Sequence, residues 1–329
     1  MTIDAAQRIC ILRTDRLGET ILTLPIAAAL KHAKPTTHIT MVVAPPLVAL
    51  VREAPGVDVV LEAPPQTGQW WHHAFAVSHL LRPLKFDCVI VVNPQKSLHL
   101  AVWLAGIRWR VGYGRKWGGL LTHRIDDQKA LGDRHEIEYN FDLIQWFGLH
   151  YPSSEFSWNL PICEPEHHQV QQFLQTRQAS ATHTVVVHPW TSNPHKQWPV
   201  ASYRALLQQL TTDLSLRVCV IGGPEEAATA KALVADLPRA INLTGRLSVR
   251  ELAEVLRQST VLISNDSGPV HVASAVGCRV IALFGTDNGP QMSHRWKPWG
   301  SGHTVLEQAR VEMISVEQVL HAFSAYITT

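Results

Sequence analysis

Several short stretches of the 329-residue chain hold residue types that can do chemistry. Ser264–Gly268 reads Ser-Asn-Asp-Ser-Gly. It lies between the apolar run Val261–Ile263 and a helical pattern (Val270, Val272, Ala273, Val276) that stops at Gly277. A turn of this kind leaves backbone N–H groups unpaired at the positive end of a helix dipole, which suits a phosphate. Asp266 and Ser267 are placed to cap the helix, and Gly268 lets a ligand approach the backbone. An ordinary capped helix accounts for the same residues. His188–Pro199 (His-Pro-Trp-Thr-Ser-Asn-Pro-His-Lys-Gln-Trp-Pro) follows another apolar run. There Lys196 can neutralise a diphosphate as charge develops, and Thr191 and Ser192 can donate to its oxygens. A solvated loop is the plainer account.

Asp15 stands just past a first apolar run, within Arg13-Thr14-Asp15-Arg16-Leu17-Gly18-Glu19. A carboxylate there can take a proton from a sugar hydroxyl, or can simply pair with Arg13 or Arg16. Gly222-Gly223-Pro224-Glu225 closes a further run. Glu225 can accept from ribose hydroxyls, and it equally suits the first turn of a helix. Ile107–Ile125 carries Arg108, Arg110, Arg115, Lys116, His123 and Arg124 and no acid. Arg side chains in such a stretch grip carboxylates and phosphates, although a solvated surface would look alike.

These residues need strands that end where they begin. In the first half Arg8–Leu12, Ile39–Val43, Val57–Leu61, Asp87–Val92 and Trp109–Val111 read as strands. Helical patterns at Pro46–Glu53, His72–Leu84, Ser97–Ala105 and Glu136–Phe147 alternate with them or follow. The second half repeats the rhythm. Its strands are Thr184–His188, Leu216–Ile221, a short one near Ile241, Val261–Ile263 and Val280–Phe284, and a final helix covers Ser315–Ile327. Strands alternating with helices imply parallel sheets covered on both faces. His150–Glu166, with three prolines among polar residues, reads as the linker. The expectation is an α/β chain with two Rossmann-like domains, 1–155 and 156–329. Their parallel sheets face a central cleft, with ligands at the carboxyl ends of the strands. The last helix is free to pack back on the first domain.

Composition narrows the classes. A net charge of +2 gives no global nucleic-acid signature. Five cysteines without a CxxC pair suit a reducing compartment. Arg8, Arg13, Asp15 and Arg16 interrupt any signal-peptide core, and no apolar run approaches the ~20 residues of a membrane span. The loop after the first strand lacks GxGxxG, which argues against a dinucleotide site. No DxD, HExxH or Cys/His cluster offers a metal site.

Three stretches taken together resemble glycosyltransferase family 9, the heptosyltransferases. They are Arg13-x-Asp15-x-x-Gly18, the His188–Pro199 loop, and Asp266-Ser267-Gly268-x-x-His271 with Leu283-Phe284-Gly285. The resemblance spans most of the chain. It implies a GT-B fold and a metal-independent, cofactor-free transfer of heptose from ADP-heptose to the lipopolysaccharide inner core or lipid A acceptor, with inversion. It implies Asp15 as general base and Lys196 on the departing ADP. Thr191, Ser192, Glu225, Leu243, Asp266, Ser267, Gly268 and His271 would line the donor pocket. Arg110, Arg115, Lys116 and Arg124 are the expected acceptor contacts. It implies a cytoplasmic place, with any membrane contact peripheral and at the inner face of the inner membrane. Three departures stand out: Glu19 where the family usually has Asp, Trp190 for a Gly, and Gln197 for a common Arg. An epimerase or transferase acting on another nucleotide-sugar, or a non-catalytic nucleotide- or glycan-binding relative, are the rival readings.

Overall fold

The structure, a computed structural model, describes residues 3–150, 159–177, 181–288 and 292–327. The chain separates into two units, Met1–Leu160 and Pro161–Thr329. The expected boundary at 155/156, and residues 151–158 of the expected linker, lie outside the described residues.

The first unit is one sheet of six parallel strands. They are β1 (Arg8–Arg13), β2 (His38–Val43), β3 (Val59–Glu62), β4 (Cys88–Val91), β5 (Trp109–Tyr113) and β6 (His123–Ile125), in the order β3-β2-β1-β4-β5-β6. β1 and β4 are buried almost throughout, as their unbroken apolar runs require of central parallel strands. The second unit repeats the plan with β7 (His183–His188), β8 (Leu216–Val220), β9 (Ala240–Asn242), β10 (Val261–Asn265), β11 (Arg279–Gly285) and β12 (Thr304–Gln308), ordered β12-β11-β10-β7-β8-β9.

Within each sheet the strand order reverses once, between β1 and β4 and between β7 and β10. Crossovers leave to opposite sides there, so the loops part and open a crevice at the carboxyl ends. The loop holding Asp15 follows β1, the loop holding Lys196 follows β7, and Asp266–Gly268 follows β10.

The final helix (Val316–Ile327) buries Val319, Phe323 and Tyr326 in the core of the second unit, with Trp198 and Tyr203. β6 and β12 escape the sequence reading because these edge strands of three and five residues (His-Arg-Ile and Thr-Val-Leu-Glu-Gln) hold no apolar run longer than two residues. Among the described residues, no helix is long and apolar enough to cross a membrane.

Candidate active site

At the first reversal point the last residue of β1, Arg13, is buried. Its Nε donates to Asp15 Oδ1 at 2.7 Å. Its Nη1 lies 3.9 Å from Glu136 Oε1, and that carboxylate also takes Lys129 Nζ. Lys129 donates on to Asn140 Oδ1 at 3.2 Å and stands 4.5 Å over the Tyr113 ring, and Asn140 Nδ2 donates to Leu22 O at 2.9 Å. A capping box of His135 and Glu138 fixes the helix start that carries Glu136. A buried relay of charges therefore aims Asp15, whose side chain keeps 28% of its exposure and can meet a substrate hydroxyl. Burial raises the Glu19 carboxyl above the usual range, with Arg13 pulling it back.

Asn93, just past β4 on the other side of this crevice, places Nδ2 3.5 Å from Thr14 Oγ1. Its Oδ1 is buried and meets no donor among the described residues. Sequence reasoning passed over both Asn93 and Glu136. A polar residue closing an apolar strand was the signal for Asn93. Glu136 had none, because it becomes part of the site only through Arg13.

At the second reversal point Lys196 Nζ donates to Asp266 Oδ2. Asp266 is 8% exposed, and burial raises its carboxyl above the ordinary value while Lys196 opposes the shift. The helix Gly268–Ala275 starts at Ser267, but no side chain caps it. This corrects the expected role of Asp266 and Ser267 as caps. Ser267 Oγ turns away to His188 Nδ1 (3.0 Å) and Ser264 Oγ (2.9 Å), and Asp266 turns to Lys196. Pro269 has no N–H, and Val270 N donates to Ser267 O. Ser267 and Gly268 thus carry the remaining amides of the helix start, the kind that can meet an anion. Burial pushes the His188 imidazole down to about 4, so the ring is neutral and can only hydrogen-bond.

Asn265 ties down both ends of the Lys196 loop. Its Nδ2 donates to Pro189 O at 2.9 Å, and its Oδ1 accepts Trp198 N at 2.8 Å. Trp198 Nε1 in turn donates to Ile314 O. Thr191 Oγ1 reaches Asp266 O at 3.4 Å, and Ser192 is exposed on the same loop. His271 is buried one turn into the helix.

Glu225 is exposed, with its carboxylate folded over Gly223. Leu243 is buried, and the neighbouring turn closes on the glycine loop through Gly245 N to Gly222 O at 2.9 Å. Trp190 is a core residue, 5% exposed, with the Cδ1 and Nε1 atoms of its indole against Gly222. A Cβ on Gly222 would stand 2.5 Å from the indole Cδ1, so the missing side chain at 222 is what admits Trp190. The tryptophan at this departure is thus part of the packed core.

The basic loop is less uniform than its composition suggests. Arg110 Nε donates to Leu120 O, and Nη1 to Ile107 O and Arg108 O. The guanidinium thereby braces its own loop. Arg115 pairs with Asp127, just beyond the acid-free stretch, while keeping 57% exposure. Lys116 and Arg124 are exposed and meet no carboxylate among the described residues. No group of three His, Cys, Asp or Glu gathers among the described residues.

Comparison with known proteins bears on this arrangement. Residues 74–321 match the model of glycosyltransferase family 9 (heptosyltransferase). The chain is 22% identical to the lipopolysaccharide core heptosyltransferase OpsX of Haemophilus influenzae, over 87% of this chain and 81% of that one. It superposes on a family 9 glycosyl transferase of Veillonella parvula with a TM-score of 0.87 at 23% identity, covering 100% of this chain and 99% of the other. The E. coli heptosyltransferase WaaC, solved with ADP, gives 0.76 at 20% identity over 97% and 99%. These likenesses establish the GT-B type of fold.

Proposed function

The chain belongs to glycosyltransferase family 9, the heptosyltransferases, and from that membership we propose that it transfers heptose from ADP-heptose to an inner-core lipopolysaccharide acceptor, with inversion and without a metal ion. One observation carries the donor half of the reading. Lys196, paired with buried Asp266, stands at an uncapped helix start whose Ser267 and Gly268 amides are left for an anion.

In the first unit, the Asp15 carboxylate takes the proton of the acceptor hydroxyl. The oxygen's electron pair forms the new bond to the anomeric carbon as the bond to the β-phosphate oxygen breaks, and ADP leaves with that pair. In the second unit, Lys196 and the helix amides meet the charge that develops on the diphosphate, the task a divalent ion performs in other transferases. Thr191 and Ser192 donate to phosphate oxygens. Glu225 accepts from the ribose, the turn at Leu243 lies beside the base, and buried His271 supports the helix start. In the acceptor crevice the Asn93 Oδ1, buried without a donor, suits a sugar hydroxyl, and Lys116 and Arg124 suit its anionic groups.

The relatives named heptosyltransferases and the ADP held by WaaC support this reading. The test follows ADP release from ADP-heptose with a panel of truncated lipopolysaccharide acceptors, with and without EDTA. Acceptor-dependent, EDTA-insensitive release that falls about 10²- to 10⁴-fold in Asp15→Asn is expected. Equal rates in both proteins would remove Asp15 as the base. Loss of activity in EDTA would overturn the metal-free part. ADP binding without release on any acceptor would point to another donor or to a non-catalytic role.

A further inference from the structure

Residues 63–125 hold eight Lys and Arg (82, 85, 96, 108, 110, 115, 116, 124) and one acid, Asp87. Asp87 is engaged inward, accepting from the backbone N–H of Gln7 and Arg8. Over this basic half of the first unit the structure sets an exposed aromatic group. The helix Trp70–Leu81 buries His73, Ala74, Val77, Ser78 and Leu81 and turns the opposite stripe outward. Trp70 (41%), Trp71 (42%) and Phe75 (56%) remain exposed. Trp117, also 41% exposed, comes from the loop after β5 and meets Trp70 edge-on, with ring centroids 4.9 Å apart.

Cations border this group. Lys116 adjoins Trp117 in a left-handed backbone conformation (φ 55°). Lys96 opens the helix after β4, and Gln95 beside it accepts from Gln66 in the loop leading to Trp70 (3.0 Å). Both lysines are exposed, and neither meets a carboxylate among the described residues.

His72 and His79 are exposed on the same helix, but an ordinary solvated stripe would not also carry three large aromatics. Large aromatics ringed by unpaired cations match the chemistry of a lipid–water interface instead. There the rings sit at headgroup depth and the lysines meet anionic lipid. We propose that Trp70, Trp71, Phe75 and Trp117, with Lys96 and Lys116, form a surface that docks on an anionic phospholipid bilayer. The helix start at Trp70 and the loop after β5 both lie at the carboxyl edge of the first sheet, the edge that carries Asp15. Docking through this surface holds that edge at the bilayer, where a lipid-anchored acceptor would be found.

Sedimentation with vesicles tests the proposal without reference to catalysis, because the vesicles contain no lipopolysaccharide and no nucleotide. The full chain is mixed with vesicles of phosphatidylcholine alone or with a large fraction of phosphatidylglycerol. Binding to the anionic vesicles that weakens with salt is expected, with little on the neutral ones. Trp70→Ser/Trp71→Ser/Phe75→Ser should lower binding at least about tenfold. Lys96→Ser/Lys116→Asn should remove the preference for anionic lipid, Asn being chosen because it tolerates the left-handed backbone. Brominated lipids should quench tryptophan emission of the native chain, which reports insertion even if the triple variant folds poorly. No sedimentation at low salt, or native-like binding by the triple variant, would overturn the proposal. So would light scattering that shows a dimer dissociated by the triple variant with no vesicle binding, which would assign the surface to a second copy.

Discussion

Lys196 pairs with Asp266 and, in the proposed reaction, meets the charge on the departing ADP, two roles that one substitution confounds and two can separate. Lys196→Met leaves the Asp266 carboxyl, 8% exposed, without its cation. Removing one partner of a buried pair costs about 3–5 kcal/mol, and the 21% exposure of Lys196 puts this pair near the lower end, about 3 kcal/mol at neutral pH. The pH dependence follows from the direction of the Asp266 shift. Burial already raises its folded-state value above that of the unfolded chain, and Lys196 is what restrains the rise. A raised acid contributes stability that is fully present below the unfolded value of about 3.9 and is lost as pH climbs through the folded value. Without Lys196 that folded value moves further up, so the deficit should grow from about pH 4 toward neutrality. Lys196→Met/Asp266→Asn removes the stranded charge and should return to within about 1 kcal/mol of the native chain. Turnover should not return. Both variants should stay about 10²- to 10³-fold below the native rate, the usual cost of losing one preorganised charge on a leaving group. Urea unfolding at pH 4.5 and 7.5, paired with ADP-release kinetics, reads both effects. A single variant as stable as the native chain at pH 7.5, or a double variant that recovers turnover, would refute the reasoning.

The first unit allows a parallel test: Lys129→Met should cost about 3–5 kcal/mol in urea unfolding, because Lys129 and Glu136 side chains are 7% and 1% exposed, and Lys129→Met/Glu136→Gln should recover most of it. Gly222→Ala should cost about 1–3 kcal/mol by driving a methyl into the Trp190 indole, and Gly222→Ala/Trp190→Leu should regain much of the loss in thermal unfolding. His188 and His99 are both pushed down to about 4 by burial. Each is therefore protonated in the unfolded chain before the folded one, so stability should fall as pH drops from about 6.5 to 4, by up to about 1.4 kcal/mol per pH unit for each ring. His99→Leu should show a shallower acid loss than the native chain in melts between pH 7 and 5; equal slopes would exclude His99.

The strands were legible because parallel central strands are apolar on both faces, so Arg8–Leu12 and Val261–Ile263 announce themselves without alternation. The loops ending them were legible for the same reason: Asp15, Lys196 and Asp266 all lie in the polar stretches that follow buried runs. Who bonds to whom was not legible. Ser267 looked like a cap, and only the approach of His188 and Ser264, from strands paired side by side, shows why it is not one. Arg110 was legible as a cation, but its bonds to three carbonyls of its own loop were not. Trp190 stood out only as a departure from the family pattern, and its neighbour, Gly222, lies across a strand boundary that composition cannot see. In each case the missing information is a contact between residues far apart in sequence or a loop geometry, neither of which local spacing encodes.

The clamp formed by Asn265 bears on synthesis. The Lys196 loop is anchored at Pro189 and Trp198 by a residue that is made 67 positions after Trp198. Trp198 itself is held by Ile314, later still. A growing chain that has delivered the loop to the solvent therefore has nothing to fasten it with. β7 and β8 can pair while the loop remains unpinned, and the anion site takes shape only when β10 slides in beside β7. At ordinary elongation rates, about 5–20 residues per second, that interval lasts several seconds. On the proposed function, nucleotide can thus favour only the nearly finished second unit, and it cannot serve as an early template for that half of the protein.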